Sequence, residues 1–218
     1  MKTKAIIAAS AAILMAAQSC TFIRFNKEKF DEFGSDVKDI STVLDGQIAG
    51  GTLNVGVSDF ECLELNVPVD VEYSNSDVSS IVISADEKTL SHIVVKQDGD
   101  KVSINSDSKG SIKGKVSVKA ASPILCRLTA NGAVDFKAEN ISGDKLSVAT
   151  NGAADICLSN ICYANVGIVV NGAGDVEVSG SADAASVTVN GVGDVDMRNL
   201  DCDNITTSIN GLGEVKRK

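Results

Sequence analysis

Apolar and polar residues alternate along most of the chain from residue 50 onward, a pattern typical of β-strands with one buried face. The clearest stretch in the first half runs from Leu63 to Tyr73 and is interrupted by Pro68. The polar segment from Asp86 to Ser91 predicts a single helical turn. The pattern predicts an all-β protein whose first half is less regular than its second.

The second half contains one motif five times, at intervals of 20, 20, 19 and 20 residues. Each copy is Asn-Gly, then a small or apolar residue, one variable residue and an acid. Strand-like alternation flanks every copy on both sides. The copies begin at Asn131, Asn151, Asn171, Asn190 and Asn210.

Asn-Gly favours a tight turn because both residues accept positive φ. Two architectures accommodate such turns, a meander of hairpins and a solenoid with one repeat per coil. Equivalent positions carry equivalent residues, and a solenoid stacks these about 4.8 Å apart, apolar on apolar. We therefore predict a single-stranded parallel β-solenoid, a β-helix-like fold with about 20 residues per coil over residues 131–218. Irregular β segments would precede it.

In such a stack the repeated asparagines form a ladder, each amide bonding to its neighbours above and below. We interpret them as structural rather than as ligands or glycan acceptors, because no Ser or Thr stands at the sequon position. The predicted turn ladder comprises Asn131, Asn151, Asn171, Asn190 and Asn210.

The acids that close the motifs would form a column of like charges: Asp135, Asp155, Asp175, Asp194 and Glu214. Neighbouring carboxylates about 4.8 Å apart repel by roughly 0.9 kcal/mol in water. Backbone N–H groups of the turns are one source of compensation. Bound Ca²⁺, which takes oxygen ligands, is the other, and no further cofactor is expected.

The N-terminus has the features of a bacterial lipoprotein signal. Lys2 and Lys4 precede an apolar run that ends in small residues before Cys20. We predict a signal peptide at residues 1–19, lipidation of Cys20, an anchor and tether over residues 20–40, and one domain over residues 41–218. The alternative is an ordinary signal peptide in which Cys20 has no role. A lipoprotein signal predicts that the chain is attached to a membrane of the cell envelope. We expect the outer membrane, on either its periplasmic or its outer surface.

Charge and cysteine content argue against a nucleic-acid partner and against a cysteine metal site. The formal net charge is −9 and Trp is absent, which argues against a nucleic-acid partner. The five cysteines after Cys20 have no metal-site spacing, and we expect mostly free thiols. Cys126 shares a repeat position with Leu146 and is predicted to be a small core residue.

The motif order resembles a known family. A lipoprotein signal is followed by Leu63 to Val71, similar to L-x-x-x-V-P-V-D-V, and then by Asn-Gly-x-Gly-Asp-Val repeats close to that family's S-G-A-G-D-V turns. The family is the putative auto-transporter adhesin, head GIN domain family of Bacteroides-type envelopes. The resemblance covers residues 40–218 and implies an all-β, helix-like fold in the envelope. It brings no catalytic residues.

Three functions remain open from the sequence. The first is a non-catalytic, adhesin-like module that binds glycan or protein ligands. The second is a structural envelope protein with no small ligand. The third is a polysaccharide-active enzyme, which we do not favour because His92 is the only histidine and the repeats hold few cations. The oligomeric state is left open.

Overall fold

The structure is a computed structural model that describes residues 42–44, 46–107, 112 and 114–218. The predicted signal peptide, tether and Cys20 lie outside these residues. The described residues form one sheet of 17 strands and one short helix. The elements are β1 Thr42–Val43, β2 Gly46–Ala49, β3 Thr52–Val55, β4 Cys62–Leu65, β5 Val69–Asn75, β6 Ser80–Ser84, α1 Glu87–Leu90, β7 Ile93–Asp98, β8 Lys101–Ser106, β9 Ser117–Ser122, β10 Arg127–Ala130, β11 Ala133–Glu139, β12 Ser142–Thr150, β13 Ala153–Val170, β14 Val176–Val189, β15 Val195–Asp201, β16 Asn204–Ile209 and β17 Val215–Lys216. The all-β prediction is confirmed.

In the repeat half, strands pair in parallel with the equivalent strand of the next repeat. Leu128 lies opposite Val148, and Ile168 lies opposite Val187. All the described pairings among β10 to β17 are parallel. The repeats are therefore not antiparallel hairpins, and equivalent apolar residues stack on one another.

The first half, for which irregular β segments are predicted, forms a mixed sheet of parallel and antiparallel strands. β2 pairs antiparallel with β3, and β7 pairs antiparallel with β8. Two-residue turns join each pair: Gly50 and Gly51 both have positive φ, as does Gly99 in the second turn. Such turns return the chain at once, so consecutive strands become hairpins rather than successive coils.

The strands do not stack in chain order. β4 pairs in parallel with β8 on one side and with β10 on the other. β5 lies in the same way between β9 and β11. The segment Cys62–Asn75 is thus inserted between a later pair of strands and the first repeat, which periodicity alone does not reveal.

A continuous apolar core runs through the stack. Leu63, Leu128, Val148, Ile168 and Val187 are each at most 1% exposed and occupy successive levels. Burial of such columns is the main favourable contribution to folding. The core thins at the last level, where β16 is largely exposed.

The predicted helical turn is confirmed as α1. Its N-cap is Asp86, whose carboxylate accepts a hydrogen bond of 3.0 Å from the backbone N–H of Thr89. The cap satisfies an N–H that the helix itself leaves unpaired. It also holds the pKa of Asp86 below its usual value, because the Thr89 hydroxyl and backbone N–H both bond the carboxylate.

Each repeat has two corners. We call the one that contains the motif the Asn-Gly corner, and the one after the next strand the opposite corner. Asn140 and Asn160 occupy the opposite corner with φ of 56° and 53°. The Asn160 amide donates to Asn140 at 2.6 Å.

The one interval of 19 residues, between Asn171 and Asn190, is shorter than the others because of a change at the opposite corner. The register of β13 against β14 shifts between Leu158 and Ile161, and that of β14 against β15 shifts between Glu177 and Ser179. The repeat that contains Ser179 is thus one residue shorter at this corner, while the Asn-Gly corners stay aligned.

Candidate functional site

The asparagines of the Asn-Gly corner form one continuous row of side-chain hydrogen bonds, which we call the asparagine ladder. The Asn151 amide donates to Asn131 Oδ1 at 2.8 Å. Asn171, Asn190 and Asn210 each continue the row in the same sense, at 2.8, 2.8 and 3.0 Å. Each internal amide therefore both donates to one neighbour and accepts from the other.

The ladder has two members that lie outside the repeated motif. Asn131 donates to Asn66 at 2.6 Å, and Asn66 donates to Asn105 at 2.7 Å. Neither is followed by Gly. Each does follow two apolar residues separated by one polar residue, as in Leu63 and Leu65, and that weaker signal is shared with the repeats.

The glycines of the Asn-Gly corner are needed for close packing. The positive φ expected of the Asn-Gly pairs is wrong, since none of these ten residues has it. A Cβ on Gly172 would instead overlap the carbonyl oxygen of Gly152, and one on Gly191 would overlap that of Gly172. Turn backbones stack directly on each other here, which only glycine permits.

The motif acids also lie in register along the stack, and we call them the acidic column. Asp70 extends it by one level, opposite Asp135, and Asp135 in turn lies opposite Asp155. Backbone N–H groups compensate part of the charge: those of Asp194 and Glu214 donate to the preceding carboxylates, Asp175 and Asp194, at 2.9 and 3.0 Å.

Lysines lie toward both ends of the acidic column. Lys115 contacts Asp70 at 2.6 Å, and Lys216 contacts Asp194 at 2.7 Å. The hydrogen bond from Lys216, with that from the Glu214 N–H, holds the pKa of Asp194 below its usual value. The pKa of Lys216 is raised by the same contact. These exposed pairs contribute little to stability individually.

Among the residues that the structure describes, no three His, Cys, Asp or Glu side chains are grouped to hold a metal ion. Ca²⁺ binding by Asp135, Asp155, Asp175, Asp194 and Glu214 stays an untested prediction.

A groove of about 560 Å³ runs along the acidic column at its Lys115 end, and we call it the open groove. Three levels of the column supply its charge, through Asp70, Asp135 and Asp155. Lys115, which pairs with Asp70, also lines it, and small and apolar residues supply the rest of its surface. These include Pro68, Val69, Val116, Ala133, Val134, Ala153, Ala154, Ala173 and Gly174.

The described residues give little basis for catalysis. His92 pairs with Asp107 at 2.9 Å, away from the open groove. The hydroxyl of Tyr163 is buried and donates to the Leu125 carbonyl at 2.9 Å. Burial also raises the pKa of Tyr163. The carboxylates of the column lie in parallel register along one surface, whereas glycoside hydrolysis needs two carboxylates across a scissile bond.

No described helix is long and apolar enough to cross a membrane.

The fold and the two aligned rows of side chains define a class: an all-β protein in which strands of successive repeats pair in parallel over one core. The chain belongs to the family described as putative auto-transporter adhesin, head GIN domain, whose model matches residues 59–217. The family resemblance seen in the sequence is confirmed.

Solved structures share the fold at low sequence identity. A putative adhesin from Bacteroides fragilis is 17% identical with a TM-score of 0.61, over 77% of this chain and 96% of that one. A putative adhesin from Parabacteroides distasonis is 17% identical with a TM-score of 0.57, over 75% and 80%. A putative lipid binding protein from the same organism is 16% identical with a TM-score of 0.50, over 80% and 99%. No curated protein matches the chain at a significant level.

Proposed function

We propose that the chain is a non-catalytic, adhesin-like binding module of the cell envelope, anchored through a lipid on Cys20. Membership of an adhesin family supports an envelope or surface role. The anchor rests on the signal-like sequence before Cys20. A multiply acylated cysteine would give stable attachment to a membrane, because each buried CH₂ adds about 0.8 kcal/mol.

We further propose that the repeats form a parallel β-solenoid, with one Asn-Gly motif per coil. The parallel register between successive repeats supports this arrangement. So does the stacking of equivalent glycines at the Asn-Gly corner. A solenoid offers a long, regular side surface, and such surfaces serve binding in many repeat proteins.

The open groove is the observation that carries the binding function. It runs from Lys115 to Gly174, and three of its levels carry carboxylates, so an extended ligand would lie across acids spaced by about 4.8 Å. Lys115 already pairs with Asp70, so Asp135 and Asp155 are the groove acids outside that ion pair. Together with the small apolar residues, these two acids suit a ligand with apolar surface and cationic groups. We propose a basic protein segment or an amine-bearing glycan, since the chain's net charge of −9 opposes acidic glycans.

The test is retention of the purified chain on immobilised host and bacterial glycans, including amine-bearing ones, and on lysine-rich peptides. We expect retention by cationic members of the set. Replacing Asp135→Asn together with Asp155→Asn should weaken binding by at least tenfold. The charge-matched control, Asp144→Asn with Asp183→Asn, changes two exposed acids that lie outside the groove and should bind as the parent does.

Equal losses in both double variants would mean general charge attraction and would contradict a groove-specific site. Shortened glycan chains in the eluate would instead indicate an enzyme.

Exposed apolar side chains at the last level of the stack favour a second function, that of a structural envelope protein that assembles through this end. Leu212 is 77% exposed and Ile209 is 45% exposed, both at the last level. If no ligand is retained, analytical ultracentrifugation of the parent and of Leu212→Ser tests this alternative. Assembly that the Leu212 variant abolishes would support it.

A further inference from the structure

Two half-buried cysteines lie beside each other where the first repeat meets the inserted segment. Cys62 opens β4, and Arg127, its register partner, opens β10. The backbone N–H groups of Cys126 and Arg127 both donate to the Glu61 carbonyl, at 2.7 and 3.0 Å. Leu125 and Leu128 are both fully buried, so the in-and-out alternation is interrupted at Cys126, which lies one residue before the register partner of Cys62.

The spacing suits a covalent bond between the two residues. Adjacent strands lie about 4.8 Å apart and a one-residue diagonal adds about 3.3 Å along the strand, which gives a Cα–Cα distance of about 5–6 Å. Disulfides accept about 4.4–6.8 Å.

Both thiols also lie among the same charged groups. Cys62 Sγ donates to Asp100 Oδ2 at 3.8 Å, and Cys126 Sγ donates to Glu61 Oε2 at 3.4 Å. Burial and the nearby Glu61 carboxylate raise the pKa of Cys126 to about 11. The pKa of Cys62 is raised by burial and Asp100, which outweigh the opposing effect of Arg127. Neither residue is thus an activated thiolate of the catalytic kind.

We propose that Cys62 and Cys126 are a disulfide site, which closes when the chain meets a disulfide oxidant. One thiolate attacks the oxidant's disulfide and releases one thiol. The second thiolate then attacks the resulting mixed disulfide and releases the other. Two protein thiols become one disulfide, and one oxidant disulfide becomes two thiols.

The bond would stabilise the position of β4, whose neighbours in the sheet are strands that come much later in the chain. β4 lies between β8 and β10, although Cys62 and Cys126 are 64 residues apart in sequence. A disulfide closing such a loop removes conformational entropy from the unfolded chain. It would hold the inserted segment against the first repeat.

The other described cysteines offer no comparable pair. Cys162 lies opposite Ser181, which lies opposite Asp201, so Cys202 is two levels away. Cys157 lies between Lys137 and Glu177. All five are free thiols in the structure, so bond formation is a change that can be followed.

The experiment oxidises the reduced full chain with excess glutathione disulfide at pH 9, where thiolates of raised pKa become accessible. Remaining thiols are alkylated, and tryptic peptides are mapped by mass spectrometry. We expect a cross-link between the peptide that contains Cys62 and the peptide 120–127 that contains Cys126. The melting temperature should rise by about 5–10 °C and return with dithiothreitol.

Cys62→Ser and Cys126→Ser should each abolish the cross-link and the thermal shift, and Cys157→Ser is the matched control that should keep both. Circular dichroism of the reduced variants checks that they fold. The proposal fails if Cys62 and Cys126 stay alkylated after oxidation, if they carry only glutathione, or if either one links to another cysteine.

Discussion

The two corners of the repeats follow different rules. At the Asn-Gly corner, backbones lie so close that a Cβ on Gly172 or Gly191 would overlap the turn beneath it. At the opposite corner, Asn140 and Asn160 adopt positive φ, and the next repeat has one residue fewer. The ladder bond across that shorter repeat, from Asn190 to Asn171, is still 2.8 Å. The first corner therefore sets the alignment of the stack and the second absorbs variation in length.

The largest effect should come from breaking the stack at the Asn-Gly corner. Gly172→Ala places a methyl group where the Gly152 carbonyl lies, so neighbouring turns must separate. We expect a loss of at least about 3 kcal/mol, measured by urea denaturation, or failure to fold.

The control for this change is Gly167→Ala. The nearest atom to its added Cβ is Ser186 Oγ at 3.7 Å, an ordinary contact. We expect a change of less than about 1 kcal/mol. Similar losses in both variants would show that tight stacking is not specific to the Asn-Gly corner.

A smaller effect should follow from removing one ladder amide. Asn151→Ala deletes the hydrogen bonds to Asn131 and from Asn171, and it leaves both neighbours without a partner there. We expect a loss of about 1–2 kcal/mol in urea denaturation.

The matched change at the opposite corner is Asn160→Gly, which keeps positive φ accessible and loses the bond to Asn140. It should cost about 0.5 kcal/mol or less, because glycine adopts this backbone without strain. A larger loss for Asn160→Gly than for Asn151→Ala would reverse the ranking of the two corners.

The smallest effect should come from a buried hydroxyl in the core next to the asparagine ladder. Thr150 precedes Asn151, is 1% exposed, and its hydroxyl has no hydrogen-bond partner. Val170 and Val189 occupy the same position in later repeats. Thr150→Val should therefore stabilise the protein by about 1 kcal/mol in thermal or urea denaturation.

Thr188→Val is the control, since Thr188 is only half-buried and its hydroxyl loses less solvation. Its stability should stay close to that of the parent. A destabilised Thr150→Val variant would show that the buried hydroxyl has a partner that matters.

The repeat half was predictable because its signals are local. Asn-Gly, the alternating apolar residues and the acid recur at a nearly fixed interval, so parallel register follows from matching positions. The Asn-Gly motif predicts positive φ at these glycines, whereas the structure shows close backbone packing without it. The motif therefore identifies the right glycines, but close packing rather than positive φ is the reason that they are needed.

The first half was less predictable because its contacts are not local. Asn66 and Asn105 join the ladder only because β4 lies between β8 and β10. Cys126 shares the register of Leu146 and was predicted to be a core residue. It is half-buried instead, because Leu125 takes the core position before Leu128, and the Cys126 Sγ donates to the Glu61 carboxylate at 3.4 Å. The open groove likewise combines Asp70 and Lys115 with the repeats, which no single motif contains.

The asparagine ladder also gives the molecule an electrical direction. Each amide donates toward the Asn105 end and presents its oxygen toward Asn210, in all six described bonds. Aligned amide dipoles add, as they do along an α-helix, so the Asn210 end is partially negative. Lys216, Arg217 and Lys218 follow at this end of the chain, as cations complement the C-terminus of a helix. The ladder therefore has a dipole of its own, and its negative end lies at the last repeat, which Lys216, Arg217 and Lys218 follow in the chain.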